Sequence, residues 1–93
     1  MYGTIARVMA KPGKEEELRA LSQRIELAPG QIAHYIYRMD ANPAEYFLVA
    51  VFESKAAYRA NAESPEQHER FMELRALLES DPEWHDGEIV DAG

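Results

Sequence analysis

The stretch FESKAAYRANAESPEQHERFMELRALL, residues 52–78, decides the fold that this sequence predicts. Ser54 follows an apolar segment and is a candidate N-cap for a short helix that runs to about Asn61. A second helix begins at Ser64, where Pro65 suits the first helical position and Gln67 can complete a capping box. Two successive helices therefore follow directly after an apolar segment.

The segments on either side of this stretch alternate between strand and helix patterns. The second helix continues to about residue 80, where an Asp-Pro pair ends it. The remaining elements are predicted from β-branched runs, turn residues and a change of apolar period. They are strands over Tyr2–Lys11, Gln31–Met39, Tyr46–Glu53 and Trp84–Asp91, and a helix over Lys14–Leu27.

The order of these elements predicts one α+β domain over residues 1–93. Strand, helix, strand, strand, helices and strand is the ferredoxin-like, split βαβ arrangement, with an antiparallel sheet and helices on one face. The strand over residues 46–53 is nearly apolar on both faces, so both faces need a cover. A second subunit can supply the missing cover, which predicts a homodimer in which two sheets pack into a dimeric α+β barrel.

Composition limits the classes of partner. Ten basic residues against 17 acidic ones give a net charge of −7, which disfavours nucleic acid and anionic membrane surfaces. No apolar run is long enough to span a bilayer, and no secretory signal pattern precedes the first helix. Cysteine is absent, which excludes disulfides and thiolate chemistry. A cytoplasmic location is expected.

Two motifs in the opening stretch resemble those of the antibiotic biosynthesis monooxygenase family, a group of dimeric α+β barrels. They are FESKAAY at residues 52–58 and SPEQHERF at residues 64–71. The family includes small monooxygenases that oxidise polycyclic phenols or quinols without metal, haem or flavin. The resemblance therefore implies a homodimer, a small aromatic or quinol-type substrate and no cofactor.

Haem-degrading enzymes share the same barrel but differ from this chain at three positions. They carry a tryptophan where this chain has Phe52, an asparagine near the position of Ala6 and a haem-ligating histidine at the position of Phe71. These departures argue against haem degradation. His68 lies one turn before the ligand position, so haem binding is the lowest-ranked alternative.

His68 is the candidate catalytic residue. With Phe71, Met72 and Arg75 it follows the spacing i, i+3, i+4, i+7, so one helix face could line a cavity. A neutral imidazole can take a proton from a phenol, which makes an electron-rich phenolate able to react with oxygen. The alternative is a half-exposed histidine that is hydrogen-bonded locally in the first helical turn.

Phe52, Tyr58 and Asn61 complete the predicted substrate-binding set, together with Phe71, Met72 and Arg75. An aromatic side chain can stack on a planar ligand, and an amide can orient its oxygen atoms. For the aromatic residues, packing in the core or in the dimer interface is the competing interpretation. It is also the favoured interpretation for Tyr35 and Tyr37, which share one strand face.

The other polar candidates receive structural interpretations. Arg7 lies between apolar residues and requires an acidic partner, which could come from across the dimer. His34 is predicted to lie in the sheet interface, Trp84 in the core or interface, and His85 on the surface. The three histidines have no metal-ligand spacing, so no metal site is predicted.

Two classes of function remain open. The first is a cofactor-independent monooxygenase that acts on a small aromatic or quinol-type molecule. The second is a non-enzymatic dimer that binds a small ligand or serves a structural role on the same barrel. An open cavity with His68 facing it would favour the enzyme, whereas a cavity filled by tyrosine and phenylalanine side chains would favour the second class.

Overall fold

The computed structural model describes residues 1–93 as four strands and three helices. The order is β1 (Tyr2–Met9), α1 (Glu15–Arg24), β2 (Gln31–Arg38), β3 (Glu45–Phe52), α2 (Lys55–Ala62), α3 (Pro65–Arg75) and β4 (Glu83–Glu88). None of the three helices combines the length and the apolarity that a membrane span requires.

The four strands form one sheet in the order β2-β3-β1-β4, with every neighbouring pair antiparallel. Tyr2 at the start of β1 pairs with Phe52 on one side and with Glu88 on the other. The central strand β1 therefore hydrogen-bonds to segments that lie far along the chain. This topology confirms the predicted ferredoxin-like α+β fold.

Serine side chains begin the two helices of the opening stretch. The Ser54 hydroxyl accepts the backbone N–H of Ala57, and the Ser64 hydroxyl accepts that of Gln67, each at 3.1 Å. The predicted capping box is only half formed. The backbone N–H of Ser64 donates to the carbonyl of Asn61, so it is not available to the Gln67 side chain, which turns elsewhere.

The third helix ends at Arg75, five residues before its predicted end. The Ala76 N–H still bonds four residues back, whereas those of Leu77 and Leu78 bond three residues back, and Leu78 then bridges to Ala10. The Arg75 guanidinium donates to the Leu78 carbonyl at 3.0 Å, which satisfies a carbonyl beyond the helix end. Pairing with the segment after β1 thus replaces the last helical turn.

The core fills one end of the layer between the sheet and the helices. Val8 and Tyr46 face each other across β1 and β3, and Leu18 of α1 packs over them with Leu78. All four side chains are at most 1% exposed. Burying each large apolar side chain contributes about 1.5–3 kcal/mol, so this end anchors the helices on the sheet.

The opposite surface of the sheet is apolar and uncovered in the single chain. Ile5, Tyr35, Tyr37, Phe47 and Val49 lie on this surface, which we call the outer face. Ile5 is 48% exposed, and the two tyrosines are 55% and 56% exposed. Large exposed apolar surfaces are typical of interaction sites.

Arg7 also lies on the outer face, where its guanidinium pairs with Glu45 of β3. The acidic partner that the sequence requires thus lies within the same chain. A pair at this position neutralises the one strong charge that β1 places among the apolar residues.

Candidate functional site

A cavity of about 360 Å³ lies between the sheet and the helices, at the end opposite the core. Its size falls within the roughly 300–1,000 Å³ typical of small-molecule sites. Mostly apolar residues line it, including Leu21 and Ile25 of α1, Ile36 and Leu48 of the sheet, and Leu74 of α3. The cavity is therefore suited to a ligand with a substantial apolar surface.

The floor of the cavity is a row of side chains across the sheet. Thr4 of β1 pairs with Ala50 of β3, and Ala50 pairs in turn with His34 of β2. Residues opposite one another in antiparallel strands point to the same face. The small side chain of Ala50 leaves open space between two polar neighbours, and this space is part of the cavity.

The roof is formed largely by α3, through a face centred on Gln67, Phe71 and Leu74. At about 100° per residue, His68 lies roughly 100° from the centre of this face and Met72 roughly 140° from it. His68 therefore lines the rim of the cavity and is exposed to solvent. Met72 points away from the cavity and is 55% exposed.

The structure brings together five of the seven residues predicted for the site. Phe52, Tyr58, Asn61, His68 and Phe71 line the cavity. The other two, Met72 and Arg75, are not in its lining. The Arg75 guanidinium donates to the Asp81 carboxylate at 2.7 Å, so it serves the segment after α3.

Tyr58 closes the cavity at the β4 end of the polar row. Its hydroxyl donates to the Asp86 carboxylate at 2.9 Å, and Asp86 pairs with Thr4 across β1 and β4. Burial and then the Asp86 carboxylate raise the pKa of Tyr58 from 10.0 to about 12, while the nearby Thr4 hydroxyl acts in the opposite direction. Tyr58 is therefore a neutral phenol under ordinary conditions.

Tyr58 is also held from its apolar side. Its ring lies 5.4 Å from Phe52 in an edge-on arrangement and 5.4 Å from Tyr2. Such aromatic pairs stabilise by about 0.5–1.5 kcal/mol beyond area burial. Phe52 therefore both packs against Tyr58 and lines the cavity.

Asn61 is fixed by the junction between α2 and α3. Its amide donates to the Gln67 side-chain oxygen at 3.4 Å, and its backbone carbonyl accepts the Ser64 hydroxyl at 2.8 Å. Both amide side chains line the cavity. The residues that end α2 and begin α3 therefore also line the cavity. Gln67 is a lining residue that the sequence pattern assigned only to the capping box.

His34 and Thr4 are the polar floor residues that sequence reasoning missed. The alternation of β2 correctly groups His34 with Ile36 on one face, but that face lies against the helices and not on the outer face. The placement of His34 in a sheet interface is therefore wrong. Only the register across three strands could have brought it into the same row as Thr4.

Trp84 and His85 lie on opposite faces of β4, as adjacent strand residues must. Trp84 lines the cavity, with its ring 6.3 Å from that of Phe71, and remains 44% exposed. His85 is on the outer side, where its Nε2 lies 2.8 Å from the Glu83 carboxylate. The surface interpretation of His85 is confirmed by its exposure.

The cavity has no cluster of metal ligands. No three histidine, aspartate or glutamate side chains converge on a point that could hold a metal ion. Phe71, which the resemblance aligns with the haem-ligating position, packs against Trp84 and has no ligating atom.

Comparison with known proteins identifies the architecture. The sequence model described as antibiotic biosynthesis monooxygenase matches residues 1–74. A protein of that description from Chloroflexus aurantiacus superposes with a TM-score of 0.83 at 22% identity, covering 99% of this chain and 95% of its own. Another from Bordetella bronchiseptica has a TM-score of 0.80 at 21% identity and 96% coverage of both chains.

A third similar structure is a variant of SnoaB, a cofactor-independent oxygenase from Streptomyces nogalater. It has a TM-score of 0.75 at 21% identity and covers 98% of this chain and 94% of its own. At these identities the structural likenesses establish the fold. No curated protein sequence matches the chain.

Proposed function

The chain belongs to the antibiotic biosynthesis monooxygenase family, and from this we propose that it is a cofactor-independent monooxygenase of a small aromatic or quinol-type molecule. The observation that carries the proposal is the open cavity of about 360 Å³, with Phe71 and Leu74 in its roof, a polar floor and an imidazole at its rim. The fold likeness to SnoaB, a cofactor-independent oxygenase, is consistent with this chemistry.

In the proposed reaction, His68 is the general base. Its position at the rim allows it to take the phenolic proton of a substrate held under Phe71 and to release that proton to solvent. Deprotonation raises the electron density of the ring, which then reduces O₂ directly. Phe52, Tyr58 and Asn61 complete the walls that hold the ring in place.

The reaction balances without an added reductant. A phenol that has a hydrogen at the reacting ring carbon becomes a quinone by losing the hydrogens of its C–H and O–H groups. One oxygen atom of O₂ becomes the new carbonyl, and the other leaves as water with those two hydrogens. The substrate supplies all four electrons.

The proposed enzyme is a homodimer that covers the outer face. Ile5, Tyr35 and Tyr37 leave about half of their surface in water in the single chain, which a second copy of the same sheet would bury. The arrangement would be symmetric, with the two cavities on the far sides of the paired sheets.

The second class, a non-enzymatic ligand-binding or structural dimer, is distinguished from the enzyme by its cavity and by turnover. A structural role is favoured by a space filled with aromatic side chains, whereas here Ala50 and Thr4 leave the floor open. Ligand binding without turnover is distinguished by experiment. Haem handling ranks lowest because Phe71 replaces the ligand position.

The test is oxygen consumption by the purified protein with phenols and quinols of one to three rings. We expect one O₂ consumed per ring oxidised, labelled oxygen in the product and no hydrogen peroxide. His68→Ala is expected to lower kcat by about 10²–10⁴-fold, the usual contribution of a general base. His85→Ala, which removes an exposed histidine from the other side of the sheet, is the matched control. Oxygen consumption by no substrate, or unchanged turnover in His68→Ala, would refute the proposal.

A further inference from the structure

Two polar atoms on the cavity floor are buried without a hydrogen-bond partner. They are Oγ1 of Thr4 and Nδ1 of His34. Thr4 is only 6% exposed, and both residues line the cavity. The Thr4 hydroxyl lies near that of Tyr58, whereas Nδ1 of His34 has no hydrogen-bond partner. Because buried polar groups are nearly always paired, this buried side of the His34 ring constrains where the ring can carry its proton.

The small side chain of Ala50 determines where that partner can lie. Ala50 separates His34 from Thr4 in the row, and each neighbour is one strand away. Strands are about 4.8 Å apart, so a group seated on Ala50 lies within reach of both neighbours. A larger residue at position 50 would fill this space.

The burial of Nδ1 decides which nitrogen of His34 carries the proton. A buried N–H without an acceptor costs about 1–3 kcal/mol, whereas a buried lone pair is less costly to leave unmatched. The burial of Nδ1 therefore favours the tautomer that carries its proton on Nε2. Only Nδ1 is sealed from solvent, so Nε2 is the atom through which His34 meets a ligand.

We propose that His34 is a substrate-positioning residue that donates a hydrogen bond from Nε2 to an acceptor oxygen of the bound ring molecule. The oxygen is a carbonyl oxygen seated over Ala50, beside the Thr4 hydroxyl, and the ring extends under Phe71 and Leu74. This inference rests on the proposed function for the identity of the ligand. It assigns the two cavity histidines different roles, since His34 holds the oxygen and His68 at the rim accepts the proton.

The apolar contacts explain the direction of the ligand. Phe71 and Leu74 offer no hydrogen-bonding side chain, while the floor offers donors at His34 and Thr4. A ring with an acceptor oxygen over the floor, unsubstituted carbon under Phe71 and Leu74, and its phenolic O–H towards the rim matches these surfaces and presents that proton to His68.

Binding of three matched probes tests the assignment without requiring turnover. The probes are 1,4-naphthoquinone, with acceptor oxygens only, 1-naphthol, and naphthalene, which has no oxygen. His34→Leu is expected to weaken naphthoquinone binding by about 5- to 30-fold, the worth of about 1–2 kcal/mol for one hydrogen bond, and to leave naphthalene unaffected. His34→Gln keeps an amide donor and is expected to stay within about threefold of wild type.

Further variants locate the effect. Ala50→Leu is expected to weaken all three probes because it fills the floor, and His85→Leu to change none. Equal loss of naphthalene and naphthoquinone in His34→Leu would overturn the proposal, as would binding of no probe to the wild-type protein.

A spectroscopic measurement on the wild-type protein tests the assignment even if the variants do not fold. A long-range ¹H–¹⁵N spectrum reports which ring nitrogen of each histidine carries the proton. We expect the Nε2–H form for His34, with its resonances shifted by naphthoquinone, and a spectrum of the Nδ1–H form would overturn the assignment. Probe binding that depends on His34 without oxygen consumption would refute the proposed enzyme but support this binding site.

Discussion

Replacing Ile5 by glutamate should convert a dimer of this protein into a folded monomer. Ile5 lies on the outer face between Val49 of β3 and His85 of β4, and it is 48% exposed in the single chain. A glutamate at this position can keep its carboxylate in water in the monomer. In a dimer that covers the outer face, the same carboxylate would be buried.

The magnitude follows from the exposed half of the side chain. Burying the rest of one isoleucine contributes about 1 kcal/mol, hence about 2 kcal/mol for the two copies in a symmetric dimer. A buried charge without a partner costs several kcal/mol more. A total of at least about 4 kcal/mol raises the dimer dissociation constant about 10³-fold.

Sedimentation equilibrium over a concentration series, with circular dichroism to check folding, measures this change. Met72→Glu is the matched control, because Met72 is 55% exposed but lies on α3, away from the outer face. Ile5→Lys should behave like Ile5→Glu, which rules out an effect of one charge sign on His85. A wild-type protein that stays monomeric at micromolar concentrations, or an Ile5→Glu dimer of unchanged affinity, would refute the reasoning.

Three further predictions concern the fold and Tyr58. Leu18→Ala removes a side chain that is only 1% exposed and should lower the free energy of unfolding in urea by about 2–5 kcal/mol. Leu27→Ala, at a side chain that is 49% exposed, should lower it far less. Ser64→Ala should cost about 1 kcal/mol through loss of the cap and Ser64→Asp should retain it, as measured by thermal unfolding. The pKa of Tyr58 is raised to about 12 in the folded state, so its contribution to stability is present below pH 10 and is lost as the pH rises towards 12. Tyr58→Phe should therefore lose less stability than the wild-type protein over that pH range. Asp86→Asn should lower the pKa of Tyr58, as measured by a tyrosinate absorbance titration.

Local patterns are sufficient to predict the elements and their order. Ser54 and Ser64 predict where α2 and α3 begin because capping depends on residues only three positions apart. The end of α3 was predicted five residues too late. Leu78 pairs with Ala10, and a contact between segments so distant in the chain leaves no local signal.

The candidate site was predicted where helix periodicity alone decides the lining, as for Phe71. The angle at which α3 rests on the sheet was not predictable from its own residues, because α3 is weakly amphipathic and its apolar side chains point in several directions. That angle excludes Met72 and moves His68 to the rim. Thr4 and His34 form one row only through the register of β3 between them.

The central position of β1 has a consequence for the order in which the fold can assemble during synthesis. Tyr2 pairs with Phe52 and with Glu88, so β1 leaves the ribosome long before either neighbour exists. The apolar residues of β1 remain unpaired while the intervening segments are synthesised. Pairing strands so far apart in the chain also requires the closure of long loops, which slows folding. The β2–β3 hairpin can form first, and β1 joins it once β3 is complete. The last edge of β1 closes only when β4 has been translated, which makes the nascent chain most vulnerable to misassociation during that interval.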